Sequence, residues 1–403
     1  MKIQFEKNPE QIELIKALAS ENKTVAMQAQ EAFAAFISDV VLQVLLQAGT
    51  ASQIYRDIEF DEDDSPSIPL DLYYGQGEGT ISVWSQTVGG GLPSSLQQGL
   101  QEMKINTYRL DSAISMEKRY VRRARLDVVA AGLERMANEL LVKQERNAWA
   151  VILKALAEAS TVSNIPGQTA INHVNVAASA SNGTAGVFDI DSLNKLWTTV
   201  RRINAAYTGG TPLNLQSRGL TDLFVSPEIK EQIRAFAYQP MNTRIGTQYA
   251  LSGTNSTAGA LGGATALGLP DSVREEIYRG SGTQEIFGVT IHELLELGAG
   301  KKYNTLFGAF AGASGKTYTN YGGTNNITGT QFAGSTANQI LVGVDSTRNA
   351  FLRPVAIQSE SRGQVKVLPD DQFLARSQKV GFYSYVEEGR VCTDARAVVG
   401  LIV

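Results

Sequence analysis

Apolar residues recur at helical spacing over three long stretches of the chain and fall in short alternating or continuous runs elsewhere. Residues 8–48 read as two helices. Asn8 can cap the first, Pro9 suits its first turn, and Gln11 completes a capping-box spacing. The second, from about 24 to 48, carries Phe33, Phe36, Val40, Val44 and Leu45 along one face. The strongest element is "SMEKRYVRRARLDVVAAGLERMANELLVKQERNAWAVILKALAEA", which holds no proline and a single glycine, Gly132. Its stripe of Leu126, Val129, Leu133, Met136 and Leu140 is heptad-like, fails at Lys143 and Asn147, and resumes at Trp149, Ile152, Leu153 and Leu156. A stripe broken after two heptads argues against a coiled coil and predicts one long helix over about 116–158. At 1.5 Å per residue, roughly forty residues span about 60 Å, more than a compact domain is wide, so this helix is expected to act as a spine. The third stretch, "FDIDSLNKLWTTVRRINAAY", places Ile190, Leu193, Trp197, Val200 and Ile203 on one side of an amphipathic helix.

Between these helices the pattern changes. "SQIYRDIEF", "SIPLDLYYG", "GTISVWSQTV" and "QEMKINTYRL", within residues 52–112, are β-rich pieces parted by Gly, Pro and Asp turns. With no helix of its own, such a ribbon buries little and leaves its edges unpaired, so it is expected to pack on something outside its own domain; the alternative is that it folds back on the rest of the chain. "LTDLFVSPEIKEQIRAFAYQP" reads as a buried strand, a Ser226 cap, Pro227 in the first turn and a further helix. "IFGVTIHELLEL" is a strand pair or a single bent strand, and residues 251–283 and 298–338 read as Gly-rich loops. The ending "KVGFYSYVEEGRVCTDARAVVGLIV" reads as hairpin-like β structure with "EEGR" at its turn.

Composition narrows the function classes. At 403 residues the chain is long enough for two or three cored domains. A net charge of −4 and a pI near 5.5 argue against a dedicated nucleic-acid binder. One cysteine, Cys392, excludes an intrachain disulfide and fits a reducing compartment. "MKIQFEKNPEQ" lacks an apolar signal core and "VVLQVLLQAGT" is too short to span a bilayer, so neither secretion nor a membrane is expected.

The chemical motifs weaken on inspection. "FGAFAGASGKTYTN", residues 307–320, ends in the Gly-Lys-Thr of a phosphate loop, but Phe310 stands where the motif needs glycine. A helix must also follow Thr317 to present its N-terminus to the anion, and "YTNYGGTNNITGTQ" is a poor helix former. "HELLEL" puts Glu296 where a zinc protease has its second histidine, and with only His173 and His292 in the chain a His-rich metal site is impossible. No Gly-x-Ser-x-Gly elbow occurs, and Cys392 has no histidine nearby in sequence. No catalytic residue, metal or cofactor is therefore expected. Two charge runs stand out: acidic Asp61, Glu62, Asp63 and Asp64, and basic Arg119, Arg122, Arg123 and Arg125 with Lys118. The arginines suit phosphates, local ion pairs at a solvated helix start, or the acidic run of a neighbouring chain. Cations at a helix N-terminus oppose its dipole, so partner carboxylates would relieve a real cost.

The order of these elements resembles the tailed-bacteriophage major capsid protein, whose fold is shared with encapsulins and the herpesvirus capsid floor. "TDLFVSPEIKEQIRAFAYQP", "IFGVTIHE", "AFLRPVAI" and the C-terminal stretch from "KVGFYSYVEEGR" carry the resemblance, which runs from about residue 10 to Val403. It implies an α+β fold with an N-terminal helical arm (1–51) and an extended β loop (52–112) that reaches over an adjacent subunit. A peripheral domain of 113–159 plus 366–403 would be built on the spine helix, beside an axial α/β domain (160–365) with Gly-rich loops. The function implied is a shell subunit, not an enzyme, that self-assembles into pentamers and hexamers of an icosahedral phage head around double-stranded DNA. Its localisation would be the virion, with assembly in the host cytoplasm. Its partners would be its own copies and scaffolding, portal and decoration proteins, with only non-specific proximity to the packaged DNA. No charged helical prodomain precedes residue 1, which implies a separate scaffolding protein or a short uncleaved arm. An encapsulin-like nanocompartment holding protein cargo is the alternative.

Overall fold

The computed structural model describes residues 9–20, 22–61, 64–69, 102–123, 126–159, 171–177, 180, 186–208, 219–238, 284–286, 288–319, 326–333, 338–357, 365–370 and 379–403. Two helices come first, α1 (Pro9–Leu18) and α2 (Lys23–Ala48), followed by strands β1 (Arg56–Asp61), β2 (Ser67–Pro69), β3 (Glu102–Lys104) and β4 (Tyr108–Glu117). A short helix α3 (Lys118–Arg122) precedes the long α4 (Leu126–Glu158), and β5 (Val174–Val176) leads to α5 (Ile190–Thr208). Next come β6 (Asp222–Val225), α6 (Pro227–Tyr238), β7 (Gln284–Ile286), β8 (Val289–Glu293), α7 (Lys302–Ala313), β9 (Thr317–Thr319) and β10 (Asn326–Thr328). The last third holds β11 (Ile340–Val344), β12 (Phe351–Ile357), β13 (Lys366–Asp370), β14 (Lys379–Glu388), β15 (Val391–Cys392) and β16 (Val398–Ile402). This is an α+β chain.

It divides into two compact units, one of Met1–Gly75, Gly79–Val151 and Asn349–Asp394, the other of Gln76–Glu78, Ile152–Arg348 and Ala395–Val403. In the first, β14 pairs antiparallel with β4 along its whole length, from Lys379↔Glu117 to Glu388↔Tyr108. Its other edge takes β13 and then β12, and β1 joins β12 in parallel. On one side of this sheet Leu110, Met116, Phe382 and Val386 pack with Phe33 and Ile37 of α2 and Leu133, Met136 and Leu140 of α4. Phe33 and Phe382 meet ring to ring at 5.4 Å. Full burial of side chains this size stabilises by roughly 1.5–3 kcal/mol each.

The spine begins later than its sequence suggests. Residues 108–117 alternate, and the alternation makes β4; the helix proper starts at Leu126. Its 33 residues reach about 50 Å. The gap in its apolar stripe is not a change of register. The buried face runs from Leu140 through Gln144 to Ala148, Trp149 and Ile152, so a polar side chain occupies one stripe position.

In the second unit six strands lie in the order β5-β16-β11-β6-β8-β7. Every residue of β11 and β16 is buried, the mark of central strands covered on both faces. Strand β16 thus belongs to this sheet, whereas the peripheral grouping expected from sequence placed all of 366–403 with the spine. "IFGVTIHE" is the strand pair β7–β8. Residues 298–338, read as a Gly-rich loop, instead hold α7 and the β9–β10 ladder. The glycines serve close packing there. A Cβ on Gly308 of α7 would lie 2.6 Å from the Gly329 carbonyl oxygen and 2.7 Å from Phe332 Cβ. The region 251–283 lies outside the described residues.

Candidate assembly surface

Strands β1 and β4 are the two ends of the strand-rich arm, and both are built into the first unit's sheet rather than free of it. Beyond them β2 and β3 pair, Pro69 opposite Glu102, so the chain leaves for residues 70–101 and returns from them at one place. The arm is therefore rooted on its own chain, and the question becomes what fixes the root.

A buried charge cluster does so. The Glu388 carboxylate, fully shielded, accepts from Arg353 Nε at 2.7 Å, from the Tyr108 hydroxyl at 2.9 Å and from Gln144 Nε2 at 3.3 Å. Arg390 joins it at 3.3 Å and lies 4.7 Å from the centre of the Tyr55 ring. Tyr55 in turn donates to the Ala148 carbonyl at 3.0 Å. Beside it Glu145 accepts from Thr50 Oγ1 at 2.9 Å and the Ala51 amide at 3.1 Å. Burial opposes the Arg390 charge, but Glu388 and the two tyrosines outweigh it and hold its pKa above the ordinary value. Burial and then the Glu388 charge push Tyr108 up to about 12. The arm root, the spine and the C-terminal strands thus meet on one carboxylate.

Sequence reading missed this cluster and misplaced its strand. "EEGR" is not a hairpin turn. Val355 pairs with Glu388, Leu352 with Val391 and Phe351 with Cys392, one continuous register on β12. Pro354 lacks an N–H, and its carbonyl accepts from Gly389 at 2.8 Å, so the ladder is interrupted without turning back. The signal available in sequence was a polar Gln144 on an otherwise apolar helix face.

The charge runs lie in this unit. Asp61 ends β1 and Asp64 follows, both exposed, the Asp64 amide bonding the Asp61 carbonyl at 2.9 Å. Glu62 and Asp63 are outside the described residues, as is Arg125. Arg119 sits on α3, not at the start of the spine helix, and is held at 2.6 Å by its neighbour Glu117. Arg122 and Arg123 are exposed.

The remaining motifs resolve as structure. In "FGAFAGASGKTYTN" the helix runs through Gly308 and Gly312 and ends at Ala313, Gly315 turns at φ +62° and Thr317 opens a strand, so no helix N-terminus faces the Gly-Lys-Thr. His292 is a strand residue, 3.0 Å from Asp222 Oδ1 and stacked on Phe224 at 4.9 Å. Burial pushes the Cys392 thiol up to about 12, far from a thiolate nucleophile. Among the described residues no three His, Cys, Asp or Glu side chains cluster to hold a metal, and no helix is long and apolar enough to cross a membrane.

No family model matches the chain, and no curated protein does. Solved structures do. The capsid of the cyanophage P-SCSP1u is similar at TM-score 0.49 and 13% identity, over 88% of this chain and 88% of that one. The capsid of a native GTA particle is similar at 0.46 and 11%, over 89% of each chain. A virus-like particle from Pyrococcus furiosus is similar at 0.41 and 8%, over 92% of this chain and 99% of that one. At 8–13% identity the similarity concerns the course of the chain and assigns neither a family nor a function.

Proposed function

We propose that this chain is a structural shell subunit that self-assembles into the pentamers and hexamers of an icosahedral phage head enclosing double-stranded DNA. The observation that carries the reading is the arm root. Two strands of one sheet, fastened to a buried carboxylate, lead out through the β2–β3 ladder to residues 70–101 and back. In sequence that stretch carries Tyr73, Tyr74, Ile81, Val83 and Trp84, residue types suited to a contact with a neighbouring copy. Assembly by symmetry repeats modest contacts many times over. Scaffolding, portal and decoration proteins are the further partners of such a subunit, and the virion its location, reached from the host cytoplasm.

Electron microscopy of the purified protein tests this. Closed shells are expected, with DNA inside when they come from a lysate. Shells filled with protein cargo would make the chain a nanocompartment instead, and a stable monomer or a helical tube would overturn the proposal.

A further inference from the structure

A groove of about 570 Å³ runs between helix α5 and the strands β5 and β16 of the second unit. Its walls include the apolar Val176, Leu196 and Leu401, while Lys195 and Arg202 line it from α5. Seven residues separate the two cations, two helical turns or about 10 Å along one side of the helix. Both are exposed, and neither makes an ion pair among the described residues. Asp191 is the one carboxylate in the lining, so two cations against one anion leave the groove positive in a chain of net charge −4. The scaffold is firm. Leu193, Leu196, Val200 and Ile203 bury the inner side of α5, Thr199 Oγ1 bonds the Lys195 carbonyl at 2.8 Å, and Asn175 Nδ2 reaches Thr199 Oγ1 at 3.2 Å.

Two unneutralised cations above an apolar floor fit an anion that carries an organic body. The volume lies in the range of small-molecule sites and exceeds what a lone inorganic ion fills. We propose that this groove binds a phosphate-bearing organic ligand, Lys195 and Arg202 taking the phosphates and the Val176–Leu196–Leu401 floor the sugar or base. Arginine offers a planar fork to phosphate oxygens and lysine a mobile point charge, so the pair tolerates several phosphate spacings. The chemistry is shared by a free nucleotide and by the backbone of a nucleic acid. The site lies within one unit of the chain and does not depend on shell assembly.

The experiment is a binding titration of the purified protein, as monomer or as shells, with ATP and separately with a short DNA duplex. At least one probe is expected to bind. Lys195→Gln with Arg202→Gln should weaken that binding roughly tenfold or more, and Lys195→Arg with Arg202→Lys should keep it. For the duplex, removing two phosphate contacts should lower the slope of log K against log salt by about 2, read between about 50 and 200 mM. ATP binding without duplex binding makes the ligand a free nucleotide, and the reverse makes it a nucleic-acid backbone; either supports the proposal. Failure of both probes at millimolar concentration overturns it. So does unchanged binding by the glutamine variant, or equal loss in the charge-conserving variant. Shells that form normally while both probes fail would sink this site and leave the shell proposal standing.

Discussion

Arg353 Nε lies 2.7 Å from the Glu388 carboxylate, and the carboxylate is wholly removed from water. An ion in that position is held by its partners, and Arg390, Tyr108 and Gln144 supply the rest of its bonds. The four partners come from β4, α4, β12 and the Gly389–Arg390 step after β14, so a single side chain ties the arm root to the spine.

Removing it should therefore cost far more than a surface pair would. Glu388→Ala takes the carboxylate from the buried Arg390 and leaves Arg353 only the longer contact to Asp57 at 3.5 Å, and breaking such a buried pair typically costs about 3–5 kcal/mol. Glu388→Gln keeps the shape and some hydrogen bonds and should cost less. Urea denaturation of the two variants gives the ranking. A loss below about 1 kcal/mol for the alanine variant, typical of exposed pairs, would show that the cluster does not hold the root.

The glycines of α7 give a contrast within one helix. Gly308 faces the Gly329 backbone and Phe332 with no room for a Cβ, whereas a Cβ on Gly312 meets nothing within 4 Å. Gly308→Ala should destabilise the second unit by about 1–3 kcal/mol through overpacking. Gly312→Ala should be neutral or stabilising by up to about 1 kcal/mol, since alanine is the better helix former. Thermal melts of the two variants that moved in the same direction would contradict the packing.

Alkaline pH should loosen the first unit. Cys392 is raised from 9.0 to about 12 and Tyr108 from 10.0 to about 12, chiefly by burial. The unfolded chain therefore releases these protons at lower pH than the folded one, and stability falls as pH rises. The loss should begin near pH 9, where the unfolded thiol ionises, and continue to about pH 12. Denaturation midpoints across that window measure it, and Tyr108→Phe should flatten the decline. In the folded protein at pH 8, Cys392 should resist alkylation until denaturant is added.

Much of this architecture is legible in the sequence because burial imposes period. Phe33, Leu133, Met136 and Leu140 repeat at helical spacing, and each proves to be core. The misreadings have physical causes. Trp197 falls on the apolar side of α5 by spacing, yet it is 37% exposed, with Arg201 4.3 Å from its ring centre. Glycine density at 298–338 suggests a loop, but Gly308 and Gly329 are there because a helix and a turn approach too closely for side chains. Of the Glu388 cluster the sequence shows only a polar Gln144 on an apolar face: Tyr108 and Glu388 lie 280 residues apart, and nothing in a polar residue's spacing says which distant charge it will meet.

The acidic and basic runs give the last prediction, which follows from the proposed shell. Asp61 and Asp64 are exposed at the end of an edge strand, and Arg122, the last residue of α3, and Arg123 after it are exposed. We expect them to meet between copies, adding orientation and rate more than affinity. Asp61→Asn with Asp64→Asn should slow assembly, followed by light scattering, and flatten its salt dependence. Arg122→Gln with Arg123→Gln should do the same. Reversing both runs in one chain, Asp61→Lys and Asp64→Lys with Arg122→Glu and Arg123→Glu, should recover part of the rate, since each copy then offers the complementary charge. Assembly that ignores the first two variants, in rate and in salt dependence alike, would place the contact elsewhere on the shell.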